Sequence, residues 1–266
     1  MDGLGFYVGR FFIAYYGACI ATGILAAALV GGFQVKRYAK SFDDFILLSA
    51  IGGLSGVIGA KVLYLAVSFK QIDFSRLGEL EYINTLMAGG FVFYGGLIGG
   101  LLGLFLCKRR LQIDVTGYLS ICIPCLPIAH GFGRIGCSLV GCCYGCPYED
   151  WGSVIYQNSM FAPNNQRLFP VQGLEALLDF IIAGILLFYI NGYKGRKSME
   201  LYLGLYAVMR FILEYFRYDG RERGMLAGLS TSQYISIGII AGLVLYHFVK
   251  KNSYCSLRSE HLLRRP

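Results

Sequence analysis

Seven stretches of apolar residues, 11–33, 45–69, 88–107, 114–135, 170–190, 199–217 and 231–249, alternate with more polar connections. Each is near the roughly 17–25 residues that carry a helix across a hydrocarbon core. Lipid offers no hydrogen bonds, so a spanning stretch must satisfy its own backbone polar groups, which a helix does. The pattern predicts an all-α polytopic membrane protein of about seven transmembrane helices, with residues 1–266 as a single transmembrane domain. The first stretch runs for over 20 residues with only Arg10 as a basic residue before it, which predicts a retained span rather than a cleaved signal peptide. Two connections are long, 70–87 and 136–169. The second holds four of the nine cysteines, the only tryptophan (Trp151) and the turn-rich run from Ala162 to Arg167. It is predicted to form a small head outside the bilayer.

Composition agrees: 56% of residues are hydrophobic and 15% charged, against about 25% charged in an average soluble domain, and mean hydropathy is +0.55. An ordinary soluble or disordered chain is excluded. The net charge of +8 does not imply a nucleic-acid partner, because the basic residues lie in short clusters between apolar stretches. Lys36, Arg37 and Lys40 follow the first stretch, Lys108, Arg109 and Arg110 the third, and Lys194, Arg196 and Lys197 the fifth. Lys250, Lys251, Arg258, Arg264 and Arg265 follow the seventh. Positive charge collects on the cytoplasmic side, so the N-terminus is predicted outside and the C-terminus inside. No fixed-period repeat supports a transporter built from inverted repeats.

An ionisable side chain inside a span costs about 2.5–3.5 kcal/mol on insertion scales, so each marks a candidate site. Arg210, Glu214 and Arg217 are spaced by four and three, which puts them on one helix stripe. Glu214 can pair with either arginine, as part of a site or as a structural ion pair, and Arg217 is alternatively a snorkelling anchor. With the predicted directions, Tyr16, Lys61, Tyr94, Arg134, Glu175 and Gln233 reach the same outer depth. Arg134 and Arg210, with Lys61 as a third cation or a snorkelling residue, predict a cationic cavity suited to a phosphate headgroup. Tyr16 and Tyr94 are either part of it or belong to an aromatic belt. His130 is a base or a packed histidine.

Glycines at intervals of four, Gly95, Gly99 and Gly103 in the third stretch and Gly52 and Gly56 before Ala60 in the second, predict close helix packing. Cys137, Cys142, Cys143 and Cys146 form a cluster that reads three ways: metal ligands, an external disulfide, or small packing residues. Its spacing fits known zinc motifs poorly, and no metal is expected. No Walker, HExxH or GxSxG motif is present.

These residues resemble the prolipoprotein diacylglyceryl transferase family, bacterial inner-membrane enzymes with seven spans. The resemblance runs through Tyr16-Gly17, Gly59-Ala60-Lys61, Tyr94-Gly95-Gly96, Gly133-Arg134-Ile135-Gly136, Pro170-x-Gln172-x-x-Glu175, Arg210 to Arg217, and Ser232-Gln233. It implies transfer of a diacylglyceryl group from phosphatidylglycerol to the lipobox cysteine of a preprolipoprotein, releasing glycerol phosphate, without a cofactor. It also implies a multi-pass location in the bacterial inner membrane. Carried over by position, Arg134, Arg210, Tyr94 and Glu214 are the catalytic candidates; Tyr16, Lys61, Glu175, Arg217 and Gln233 are the substrate-binding ones. Two positions depart from the family pattern: its histidine is Tyr94 here and its asparagine is Cys137. A phenol with a pKa near 10 is a poor base. Tyr94 is therefore expected to position substrate by hydrogen bonding, with proton removal left to water or an acid such as Glu214. A phospholipid-binding paralogue, or a lipid or anion transporter without this activity, is the alternative.

Overall fold

The computed structural model describes residues 4–193, 197–218, 225–226 and 228–263; the expectations for Lys194, Arg196, Arg264 and Arg265 lie outside these. Helices dominate: α1 Tyr15–Arg37, α2 Phe42–Val67, α3 Leu80–Ala88, α4 Phe93–Arg110, α5 Val115–Cys122, α6 Cys125–Val140, α7 Val171–Tyr193, α8 Ser198–Leu213 and α9 Thr231–Leu263. Among the described residues three short antiparallel pairs accompany them: β1 Gly5–Val8 with β2 Phe11–Ala14, β3 Val154–Ile155 with β4 Arg167–Leu168, and β5 Met225–Leu226 with β6 Leu229–Ser230. All seven apolar stretches contain helix. Among the described residues four helices are long and apolar enough to cross a membrane, α1, α2, α7 and α9 to Lys250, or five if α5 and α6 form one bent span.

Several boundaries differ from the sequence reading. Residues 11–14 are strand, paired from Gly5↔Ala14 to Val8↔Phe11, so the first helix starts at Tyr15. The fourth stretch breaks between Cys122 and Cys125, at Ile123-Pro124, where proline lacks the amide that would continue the helix. Helix α6 runs to Val140, into the predicted head, and stops at Gly141, whose φ of 78° gives the left-handed cap. The sixth stretch leaves α-geometry after Leu213 and tightens into a 3₁₀ turn over Glu214–Phe216.

Two compact units divide the chain: residues 32–119, and residues 1–31 with 120–266. In the first, α2 begins at Ser41, whose hydroxyl accepts from Asp44 N–H at 3.2 Å, with Asp43 and Asp44 in its first turn favouring the positive helix end. It packs on α4 with backbones in contact: a Cβ on Gly59 would strike the Gly95 carbonyl oxygen, and one on Gly99 would strike that of Ser55. Lipid tails are as apolar as leucine, so such contact, rather than escape from water, holds membrane helices together. Lys40 Nζ meets Asp114 Oδ2 at 2.6 Å in the same unit.

In the second unit α6 packs on α7, α7 on α8 and α8 on α9. Helix α7 starts just after Pro170, a residue suited to a first turn. Its large apolar residues Leu177, Ile181, Ile185 and Phe188 point outward, while Gln172, Glu175 and Asp179, spaced by three and four, are buried. That inversion suits a helix whose outer face meets lipid and whose inner face holds the polar groups.

Candidate functional site

Glu175 is the centre of the second unit's polar cluster, with no solvent exposure. Arg134 on α6 contacts its Oε2. Arg210 on α8 brings Nη1 to 3.6 Å from Oε1, and Arg217, just past the 3₁₀ turn, brings Nη1 to 3.8 Å from Oε2. Arg210 also meets Glu214 at 2.7 Å, four residues on, and donates to Ser232 Oγ at 3.3 Å. Three guanidinium groups therefore gather around the Glu175 and Glu214 carboxylates. Arg134 Nε and Arg210 Nη1 are buried without a hydrogen-bond partner. Unsatisfied buried donors on guanidinium groups suit an acceptor-rich anion such as a phosphodiester.

His130 extends the cluster one helical turn before Arg134. Its Nδ1 lies 2.7 Å from Asp179 Oδ2, its Nε2 lies 4.0 Å from Glu175 Oε1, and its ring meets Tyr206 edge-on at 5.8 Å. Asp179 escaped the sequence reading, although its spacing of four from Glu175 inside an apolar stretch is the same signal that singled out Arg210 and Glu214.

The other sequence candidates are placed as follows. Tyr16, half-exposed, packs its ring and Cα against Gly136, where a Cβ would come within 3.1 Å of that ring. Gln233 is 3% exposed; its Oε1 accepts from Ser230 N–H at 3.0 Å and its Nε2 donates to the Phe211 carbonyl at 3.4 Å, which ties the start of α9 to α8. Lys61 and Tyr94 belong to the other unit. There Lys61 is buried, donates to the Leu86 and Gly89 carbonyls at 2.8 and 3.0 Å, and lies over the Tyr64 and Phe91 rings. It caps the C-terminal end of α3, where a cation offsets the negative end of the helix. Tyr94 sits exposed in the first turn of α4.

Past Gly141 the chain folds back on α6. The Cys142 N–H donates to the Cys137 carbonyl at 3.1 Å, and Cys143 has a φ of 57°. A non-glycine residue held there costs on the order of 1–3 kcal/mol. The thiols of Cys137, Cys142 and Cys143 converge, with all three Sγ atoms within 4.8 Å of one another. All four cysteines of the sequence cluster are free thiols. Hydrogen bonds from Cys137 and Cys142, aided by Arg217 and Arg134, hold the Cys143 thiol well below the usual thiol range. The loop is tied to the polar cluster: Gln172 Nε2 donates to the Cys142 carbonyl at 3.0 Å, and Tyr218 N–H donates to that of Tyr144 at 3.3 Å.

The family profile of the prolipoprotein diacylglyceryl transferases matches residues 4–249. A phosphatidylglycerol–prolipoprotein diacylglyceryl transferase of Clostridium tetani is 38% identical over 234 residues, 87% of this chain and 91% of that protein. The second such transferase of Clostridium perfringens is 35% identical over 239 residues, 89% of this chain and 90% of its own length. One from Dehalococcoides mccartyi is 28% identical over 237 residues, 86% of this chain and 89% of that one.

Proposed function

The chain belongs to the prolipoprotein diacylglyceryl transferase family, and from that premise we propose that it moves a diacylglyceryl group from phosphatidylglycerol to the lipobox cysteine of a preprolipoprotein. The observation that carries the reading is the group of Arg134, Arg210 and Arg217 around the buried Glu175. In the reaction the acceptor sulfur attacks the glycerol carbon that bears the phosphate, forming a C–S bond. The C–O bond breaks, its electron pair stays on the phosphate oxygen, and glycerol phosphate leaves. Arg134 and Arg210 stabilise the charge that gathers there, because preorganised guanidinium groups in a poorly hydrated site need no reorganisation. Glu214 or water takes the thiol proton. Arg217, Tyr16 and Gln233 shape the binding site, Glu175 orients the arginines, and Tyr94 and Lys61 are carried over from the family pattern as substrate-positioning groups.

The same reading sets the protein in a bacterial plasma membrane as seven spans, N-terminus outside and C-terminus inside, with residues 136–169 as the external head. The test is purified protein with phosphatidylglycerol vesicles and a lipobox peptide, read by mass spectrometry. The expected product is the diacylglyceryl thioether on the cysteine peptide and none on a serine peptide. Vesicle binding without adduct, in both the wild type and Tyr94→His, would overturn the transfer reading in favour of phospholipid binding.

A further inference from the structure

Cys137, Cys142 and Cys143 have no part in the reaction as written, yet the fold brings them together at the edge of the arginine group. Cys137 lies on the last turn of α6, one turn past Arg134, and Cys142 and Cys143 reach it because the chain reverses through two left-handed residues, Gly141 at φ 78° and Cys143 at φ 57°. Adjacent cysteines along an extended strand would point to opposite faces; this reversal lets both thiols meet the third. Four-coordinate zinc holds thiolate sulfurs at about 2.3 Å, which places them roughly 3.8 Å apart. Three sulfur atoms already within 4.8 Å need only small side-chain rotations to reach that.

We propose that Cys137, Cys142 and Cys143 bind one zinc ion whose fourth position takes the thiol of the acceptor cysteine. This rests on the transferase reading above and replaces the cofactor-free, metal-free expectation from the sequence. Three protein ligands and one open position are the form of a catalytic rather than a structural zinc site, which is closed by four. A thiol that coordinates zinc loses its proton outright. The proton passes to water or Glu214, the bound sulfur keeps its electron pair for attack on the glycerol carbon, and no electron is gained or lost by the metal.

Three thiolates on a divalent cation carry a net charge of −1, and the acceptor thiolate makes it −2. Arg134, one turn before Cys137 on α6, and Arg217, whose backbone pairs with that of Gly145 in the loop, lie on the side of the cluster where that charge would sit. Gln172, three residues before Glu175 on the same face of α7, donates to the Cys142 carbonyl and so holds the loop that carries two of the three thiols. The site also supplies a way to activate the thiol where this chain carries Tyr94, a poor base.

The test uses the full chain in detergent, equilibrated with zinc(II) under reductant and freed of excess metal. The expected content is one zinc per chain. Cys137→Ser, Cys142→Ser and Cys143→Ser should each weaken zinc binding at least about tenfold, while Cys146→Ser, outside the cluster, retains it. With cobalt(II) in place of zinc, sulfur-to-metal charge-transfer absorption should appear, and a cysteine lipobox peptide, but not a serine one, should change the cobalt bands. Zinc content near zero in the wild type, or a disulfide between two of the three cysteines under reductant, would overturn the proposal even if every variant failed to fold. Thioether formation at the wild-type rate by metal-free protein would also overturn it while leaving the transferase reading intact. Bound zinc that senses the peptide thiol, with no thioether formed, would support the site and overturn the transferase reading instead.

Discussion

Glu175 meets Arg134, Arg210 and Arg217 with no exposure to solvent, so water cannot take over its charge. Removing one partner of a buried ion pair costs about 3–5 kcal/mol, because the remaining charge stays desolvated. Glu175→Ala should therefore lower stability in detergent by that amount, read by thermal or denaturant unfolding; a loss below about 1 kcal/mol would show that the carboxylate does not anchor the arginines. Arg210→Lys keeps the charge but loses the planar fork. Loss of one hydrogen bond to a charged group, about 1.5–3 kcal/mol, predicts transfer slowed by roughly ten- to more than a hundredfold with the fold retained, read in the thioether assay. Tyr94→Phe should slow transfer by only about two- to twelvefold, the value of a neutral hydrogen bond, and Tyr94→His should preserve or raise it. Abolition of transfer by Tyr94→Phe with lipid binding intact would instead assign the phenol an essential proton transfer.

At the scale of the elements, Gly95 and Gly99, which the sequence marks at an interval of four, are points of backbone contact. Gly95 faces the Gly59 carbonyl oxygen and the Leu63 Cβ, whereas Gly53, on the same helix as Gly59, has open space where a Cβ would be. Gly95→Ala should destabilise the protein by about 1–3 kcal/mol, the usual cost of overpacking. Gly53→Ala should be neutral or stabilising, because it removes only chain entropy. Equal unfolding midpoints for the two variants would contradict the close α2–α4 contact. Helix ends were less legible than helix interiors. The sequence reading extends the sixth stretch to Arg217, but the α-helix ends at Leu213, and Arg217 reaches Glu175 from extended backbone.

Over the whole molecule, the alternation of basic and non-basic connections predicts sidedness. Lys108 ends α4 within a run of three basic residues, and Trp151, 96% exposed, lies in the long connection before α7. In a cysteine-free background, a single cysteine at position 151 should react with an impermeant reagent added outside the cell. One at position 108 should react only after the membrane is opened. Labelling of position 151 only from the cytoplasm would reverse the orientation.

Hydropathy and helical period are properties of neighbouring residues, and so the sequence alone determined the helical class, the positions of the apolar stretches and which ionisable groups lie inside them. It also put Glu214 within reach of both Arg210 and Arg217, because separations of four and three close within one helix turn, and the structure pairs it with Arg210. Only tertiary structure decided that Glu175 is shared among three arginines from separate segments and that Asp179 meets His130, since those contacts depend on how each helix is rotated about its axis. The convergence of Cys137, Cys142 and Cys143 was likewise out of reach. It depends on a chain reversal in which Cys143, a residue with a Cβ, takes a left-handed conformation that surrounding contacts must hold in place and that no local propensity favours.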